Sequence, residues 1–403
     1  MITRRHKMGT FFHELAADFR WGQLFAILCL MVFSLLFIYS ATVRTGGGVP
    51  DEVKKQGIWF GVGIVGYLLA SLLDYRWVCR NAWLLYAGTF ALLVWVLFKG
   101  REIYGAKRWI SFGSFTIQPS EFAKLSVLLA LCWYLGRRTV GLRDGRSVAV
   151  ASLLALIPAA LIHRQPDLGT ALSIVALLLL LLFLAGASLR FFTMLGLVAL
   201  LLAGALGWET WRYTHFRRAR IAGTVTAEAH YKSLLHLKEY QLNRILGVVA
   251  PDELDQLNEG WNIRQSLIAI GSGRFSGKGW HKGDVTRGGY LPRTVSLNDF
   301  IFAVFAEESG FVGGVALLTL YAGILIGGAR VAMQAGDQLG SLLAGGVTFL
   351  LFFHVFVNVG MTLGILPIVG VPLPLMSYGG SFVLVSMILL GLIQSVWLHR
   401  KPY

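Results

Sequence analysis

Long apolar runs, each closed by a short polar stretch, recur along the chain. The runs are roughly 18 to 25 residues, the length at which an α-helix crosses a hydrocarbon core of about 30 Å. Backbone N–H and C=O groups find no water inside lipid, so runs of this kind are helical. The pattern predicts an all-α, polytopic membrane protein with about ten spans. They fall near residues 23–43, 57–73, 82–98, 119–136, 147–163, 168–186, 190–212, 299–327, 338–361 and 380–398. The whole chain, 1–403, reads as one transmembrane domain. In its polar N-terminus, 1–22, Phe11, Phe12, Leu15, Phe19 and Trp21 recur at helical spacing, which predicts a short interfacial helix. No small-residue cleavage site follows the first run, so it is expected to remain as an anchor.

The cations orient these spans. Arg4, Arg5 and Lys7 precede the first, and Arg76 and Arg80 lie between the second and third. Arg137, Arg138, Arg143 and Arg146 lie between the fourth and fifth, and His399, Arg400 and Lys401 follow the last. Alternating spans put all of these on one side, which is then cytoplasmic. Both termini are expected inside, and 99–118, 163–168, 213–298 and 362–379 outside. The segment 213–298, the large extracytoplasmic loop before the eighth span, is too long for a plain connector. Its Leu234, Leu237, Leu242, Ile245 and Leu246 predict an amphipathic helix on the outer membrane surface. No internal repeat is visible, which counts against a transporter built from inverted halves.

Composition changes this picture little. Charged residues are 14% and hydrophobic residues 56%, against about a quarter charged in soluble domains. The net charge of +15 suits cytoplasmic loops beside anionic lipid. No basic segment carries a nucleic-acid-binding pattern, so no nucleic-acid partner is expected. Cys29, Cys79 and Cys132 form no C-x-x-C pair and read as small hydrophobes.

Five segments hold chemistry that a plain span does not need. The first runs Tyr104-Gly-Ala-Lys107-Arg108-Trp109, then Gln118-Pro-Ser-Glu121-Phe-Ala-Lys124. Pro119 suits a first helical turn, and Glu121 suits its positive end. Lys124 opposes the dipole, and Glu121, three residues away on the same face, is placed to pair with it. An ion pair within a span marks a polar cavity. In the second, Arg164-Gln-Pro-Asp167, the Asp either caps the sixth span or belongs to a site.

The third segment combines Arg244, Gln265-Ser266 and Gly277-Lys278-Gly279. Walker A spacing fails, because Ser272 stands where a Gly is needed and Gly279 where a Ser or Thr is needed. Glycine-rich backbone with Arg244, Arg274 and Lys278 suits either a pyrophosphate nest or ordinary turns. In the fourth, Asn298-Asp299 opens the eighth span, and Glu307 follows two turns later on nearly the same face. Asp299 reads as a helix cap or as a site carboxylate. The fifth, 364–381, is apolar but broken by Pro367, Pro372 and Pro374, and it contains Ser377 and Tyr378. Unwound backbone at this depth lines a cavity or is buried in protein.

Together the segments GAKRWISFG…QPSEFAKL, QPDLGTAL, QSLIAIGSG, DFIFAVFAEESGF and GILPIVGVPLPLMSYGGS resemble the SEDS membrane glycosyltransferases (shape, elongation, division and sporulation). The resemblance runs from about 23 to 398, and the Ile-Val-Gly-Val-Pro-Leu-Pro run looks like the RodA, or elongation, branch rather than the FtsW, or division, branch. It implies polymerisation of lipid II into β-1,4-linked peptidoglycan strands on the outer face of the bacterial cytoplasmic membrane. The family's catalytic carboxylate maps to Asp299 and its Glu–Lys pair to Glu121 and Lys124. Lys107, Arg108, Trp109, Asp167, Arg244, Gln265, Ser266, Lys278, Glu307, Ser377 and Tyr378 are the expected cavity or substrate-binding residues. A divalent cation, Mg or Mn, is the expected cofactor, with no organic one. A class B penicillin-binding protein and other elongation-complex membrane proteins are the expected partners.

The chain departs from the family's Leu-Pro-Glu-x-His-Thr-Asp pattern. It reads Leu291-Pro-Arg-Thr-Val-Ser-Leu-Asn-Asp299, two residues longer, with Arg293 for the Glu, Leu297-Asn298 for the His-Thr pair, and Gly289 where an acid is common. Two rival functions fit the same spans: transport or flipping of a lipid-linked precursor, and noncatalytic scaffolding of wall synthesis.

Overall fold

The computed structural model describes residues 18–43, 48–103, 106–112, 115–137, 145–224, 231–235, 237, 239, 242–243, 245–246 and 259–400. Each expected span coincides with a helix. The helices are α1 (Trp21–Thr42), α2 (Asp51–Leu72), a short α3 (Tyr75–Arg80), α4 (Ala82–Lys99), α5 (Pro119–Gly136), α6 (Gly145–Arg164), α7 (Leu168–Leu184) and α8 (Leu189–Ile221). They continue with α9 (Glu259–Gly273), the short α10 (Asp284–Arg287) and α11 (Arg293–Leu297), then α12 (Ile301–Met333), α13 (Gln338–Thr362) and α14 (Gly380–Leu398). Among the described residues, α1, α4, α6, α8, α12, α13 and α14 are long and apolar enough to cross a membrane. The other three expected spans are α7, with 17 residues, α2, which opens on Asp51 and Glu52, and α5, which carries Glu121 and Lys124. The chain is a multi-pass helical membrane protein.

Burial ranks the helices. Helix α5 is central: Leu128, Leu131, Cys132 and Leu135 have no exposed surface, and α4, α7, α13 and α14 surround it. Helices α2 and α14 pack closely because Gly391 leaves room for the neighbouring backbone; a Cβ there would lie 2.5 Å from the Tyr67 carbonyl oxygen. Helix α8 instead exposes Leu197, Leu200 and Leu201, as a lipid-facing helix does. Cys79 and Cys132 are buried and all three cysteines are free thiols.

Four expectations change. The 99–118 connector forms a small antiparallel sheet, β1 (Arg101–Ile103), β2 (Ala106–Phe112) and β3 (Phe115–Ile117), in that order. Helix α8 continues past the predicted 212 to Ile221; hydropathy marks where lipid ends, not where helical hydrogen bonding ends. Leu242 and Leu246 bury against Tyr213 on this extension rather than facing a membrane surface alone. The interfacial helix expected around Phe11 lies mostly outside the described residues.

The fourth change is in α12, which is broken at Gly310 (φ 66°, ψ −166°). A break strands main-chain groups, and the loop after α9 takes them up. Lys278 N donates to Glu307 O (3.1 Å) and Gly279 N to Glu308 O (2.9 Å), while Phe311 N and Val312 N donate back to Arg274 O and Phe275 O (2.9 and 3.1 Å). Gly277 sits at φ 79°, and a Cβ on it would lie 2.1 Å from Glu308 O. The glycine-rich stretch is therefore a stitch across a broken helix, and its amides are already used.

At the end of α12 away from Asp299, Asp337 caps α13 through Gly340 N (2.7 Å). It also accepts from Tyr75 Oη (2.9 Å) and Arg76 Nε (2.8 Å). Burial opposes its charge, but the bonds from Gly340, Tyr75 and Arg76 prevail and hold the carboxyl below its ordinary range.

Candidate active site

The proline-broken segment between α13 and α14 forms no helix until Gly380. Its carbonyls would be costly orphans in an apolar bundle, so side chains from the spans satisfy them. Tyr321 Oη donates to Pro374 O (2.5 Å), Ser34 Oγ to Met376 O (2.9 Å) and Gln56 Nε2 to Ser377 O (3.2 Å). Ser377 is fully buried. Its hydroxyl accepts from Leu373 N (2.8 Å) and donates to Asn298 O (2.5 Å). The segment is thus tied to the residue preceding Asp299.

Asp299 lies in the turn between α11 and α12, half-buried. The helix-cap reading does not hold: the N-cap of α12 is Phe300, with no side-chain cap bond. The backbone here is fixed by others. Asn358 Nδ2, on α13, donates to Asp299 O (2.9 Å) and Val371 O (2.8 Å), and Tyr378 N donates to Leu297 O (2.9 Å). Both neighbours that replace the family's His-Thr pair are therefore held through their carbonyls, which any side chain supplies. Gly370, at φ 69°, faces the carboxylate; a Cβ there would sit 3.5 Å from Asp299 Oδ2. Arg293, where the family has Glu, pairs with Glu52 Oε2 on α2 at 3.0 Å.

On α5, Lys124 Nζ lies 2.8 Å from Glu121 Oε2, both side chains almost wholly buried. Oε2 sits off a good hydrogen-bond line, so charge holds the pair. Lys124 Nζ also lies 3.0 Å from His354 Nε2. An ammonium only donates, so Nε2 accepts and the imidazole proton sits on Nδ1, which donates to Pro372 O (3.1 Å). The ion pair is thereby linked to the broken segment. Asp167 does cap α7, accepting from Thr170 N (3.2 Å). Its second oxygen accepts from Gln118 Nε2 (2.9 Å) and Ser120 Oγ (3.0 Å), so capping and membership of the site coexist.

Glu121, Asp167 and Asp299 line one cavity of about 260 Å³, with Arg108, Trp109, Tyr378, Asn298 and the 368–370 turn, whereas Lys124 and His354 are buried outside its lining. Two of its polar atoms, Arg108 Nε and Asn298 Oδ1, are buried without a hydrogen-bond partner among the described residues. Burial pushes the Tyr378 phenol up, and Glu52 adds to the shift.

Other expected residues lie elsewhere. Lys278 is bound to Glu307 Oε1 (2.7 Å) and Asp284 Oδ2 (3.0 Å). Glu307, wholly buried, also accepts from Val285 N (3.0 Å). Both belong to the stitch at Gly310 and not to the cavity lining. Ser266, on α9, donates to Thr362 O (2.8 Å), and Gln265 beside it is buried outside the cavity lining. Ser377 positions backbone and does not itself line the cavity. Arg244 lies outside the described residues, as does the side chain of Lys107. His354 and Asn358 were missed from the sequence. Their signal was two polar side chains four residues apart in an apolar span.

Fold and cavity define a polytopic membrane protein whose buried polar centre sits at one end of the bundle, beside a broken, proline-rich segment. The chain belongs to the FtsW/RodA/SpoVE family of cell cycle proteins, whose model matches residues 21–402. It is 35% identical to the peptidoglycan glycosyltransferase RodA of Treponema pallidum, over 94% of this chain and 98% of that protein. It is 37% identical to the peptidoglycan glycosyltransferase MrdB of Escherichia coli, over 94% and 93%. A solved chain from a study of polymerisation and crosslinking by a peptidoglycan synthase complex superposes with a TM-score of 0.73 at 29% identity, covering 95% of this chain and 98% of that one. The crystal structure of the rod shape determining protein RodA of Thermus thermophilus gives 0.65 at 27%, covering 96% and 98%.

Proposed function

We propose that the chain is a peptidoglycan glycosyltransferase of the RodA type, polymerising lipid II during cell elongation with Asp299 as general base. The relatives' activity supports the reaction class, and one observation carries the residue assignment. Asp299 is a half-buried carboxylate on the cavity wall, and the helix that follows it takes Phe300 as its N-cap.

In this reading the acceptor hydroxyl attacks the anomeric carbon of a donor held through an α-linked pyrophosphate. The hydroxyl proton passes to Asp299, a C–O bond forms with inversion, and the bond to pyrophosphate breaks. Base catalysis of this kind supplies about 10²–10⁴ in rate. Charge on the departing pyrophosphate needs a cation. Lys124 and Lys278 are committed to carboxylates, and among the described residues Arg108 is the cavity-lining cation suited to phosphate.

A divalent cation was also expected. Among the described residues no three His, Cys, Asp or Glu side chains are grouped to hold one. Glu121 and Asp167 already serve Lys124 and the α7 cap. The described side chains of the cavity therefore do not make a preformed metal cage.

The cation pattern of the loops supports the bacterial cytoplasmic membrane as location, with both termini inside and the cavity on the outer face. The partner would be a class B penicillin-binding protein, since a new strand needs crosslinking. The test is polymerisation of purified lipid II by purified protein. Asp299→Asn should lose about 10²–10⁴ in rate and keep its thermal midpoint, because Phe300 rather than Asp299 caps α12. Wild-type rates in the Asn variant would remove Asp299 from the chemistry and favour the scaffold.

A further inference from the structure

A second cleft lies at the far end of the bundle from the cavity, between the start of α1 and the last third of α12. It encloses about 450 Å³ and is lined by Arg20, Phe25, Gly323, Ile326, Gly327 and Arg330 among others. Its two cations face one space. Arg20 Nη1 donates to Gly327 O (2.7 Å), and its guanidinium lies 5.5 Å from the Trp397 ring centre. Gly327 makes this docking feasible: a Cβ there would lie 2.5 Å from Arg20 Nη2.

Arg330 is exposed in the last turn of α12. By itself it would be a helix-end cation reaching for water. Arg20 makes the arrangement unusual. It is partly buried, and burial together with Arg330 disfavours its charge, with Tyr67 acting the other way. No carboxylate among the described residues pairs with either guanidinium. The nearby Asp18 is engaged by Arg400 at 3.1 Å. Two like charges beside one cleft cost energy that an anion between them would offset.

The walls narrow the choice of anion. Phe25 and Ile326 are more than half exposed, and they continue the cleft along the lipid-facing surfaces of α1 and α12. A small soluble anion has no use for that apolar channel. We propose that this cleft binds an anionic phospholipid, its phosphate between Arg20 and Arg330 and an acyl chain along Phe25 and Ile326. Basic pockets between transmembrane helices recognise such headgroups. The site is distinct from the polar cavity and independent of the glycosyltransferase reading.

The test uses the full chain purified in detergent. Phosphatidylglycerol and phosphatidylcholine of matched acyl chains are titrated separately, and binding is read by native mass spectrometry and by the shift in thermal midpoint. Phosphatidylglycerol should bind and stabilise, and phosphatidylcholine should not. Arg330→Gln, an exposed change that should fold, should weaken phosphatidylglycerol binding about fivefold, and Arg330→Lys should recover part of it. Arg80→Gln, an exposed cation away from the cleft, should leave binding unchanged. Equal stabilisation by both lipids, equal loss in Arg80→Gln and Arg330→Gln, or full stabilisation by inorganic phosphate alone would each overturn the proposal.

Discussion

Asn358 holds the backbone of Asp299 and the backbone of Val371 with a single side-chain amide, at 2.9 and 2.8 Å. The carboxylate and the broken segment across from it are therefore registered to one point on α13. Asn358→Asp keeps the shape but loses both donors, and each buried carbonyl left unpaired costs about 1–3 kcal/mol. The thermal midpoint should fall. More tellingly, kcat for lipid II polymerisation should fall at least about tenfold with KM little changed, since misplacement of a reacting group acts on kcat. A lower midpoint with unchanged kcat would reduce Asn358 to a structural tie.

Glu121 and Lys124 should behave as one unit. Removing one partner of a buried pair costs about 3–5 kcal/mol, whereas replacing both with apolar or neutral groups can be nearly neutral. Glu121→Gln and Lys124→Met should each reduce folded yield, and the double variant should recover most of it. His354 accepts from Lys124, so recovery should stay incomplete unless His354 is also changed. Additive losses in the double variant would contradict the coupling.

The pairing of Arg293 with Glu52 predicts a tolerated charge swap. Arg293→Glu alone places two carboxylates together and should weaken polymerisation or stability. Arg293→Glu with Glu52→Arg should restore it. Both side chains are partly exposed, so the coupling energy should not exceed about 1 kcal/mol. A double-mutant cycle measures it directly.

Asp337 supplies a pH dependence at the opposite end. Its folded carboxyl titrates below its unfolded value, so its contribution is present above the unfolded pKa and is lost as pH falls through the folded one. The midpoint of the wild-type protein in detergent should drop on acidification below about pH 4. Asp337→Asn should be less stable at pH 7 and should show a smaller acid-dependent drop. An identical acid profile in the variant would show that other carboxylates govern it.

The apolar runs located a helix at each of the ten expected positions, seven of them long and apolar enough to cross a membrane, because a helix in lipid is dictated by length and polarity. The Glu121–Lys124 pair was also legible, since residues three apart on a helix must meet. Long-range partners were not. Nothing in the local sequence links Arg293 to Glu52 or Asn358 to Asp299. Gly277-Lys278-Gly279 allowed two readings, a ligand nest or turns. The choice depended on where the Glu307 and Glu308 carbonyls were left by a break at Gly310, which hydropathy does not register. The same blindness hid the sheet at 101–117, whose strands are too short to stand out.

The break at Gly310 leaves the two halves of α12 sharing one clamp. On the Asp299 side the Glu307 and Glu308 carbonyls accept from Lys278 N and Gly279 N, and on the far side Phe311 N and Val312 N donate to Arg274 O and Phe275 O. The segment leading into Asp299 and the rest of the helix are gripped by the same few residues, like two rails bolted to one plate. A distortion of the 274–279 loop is therefore felt on both sides of the break at once.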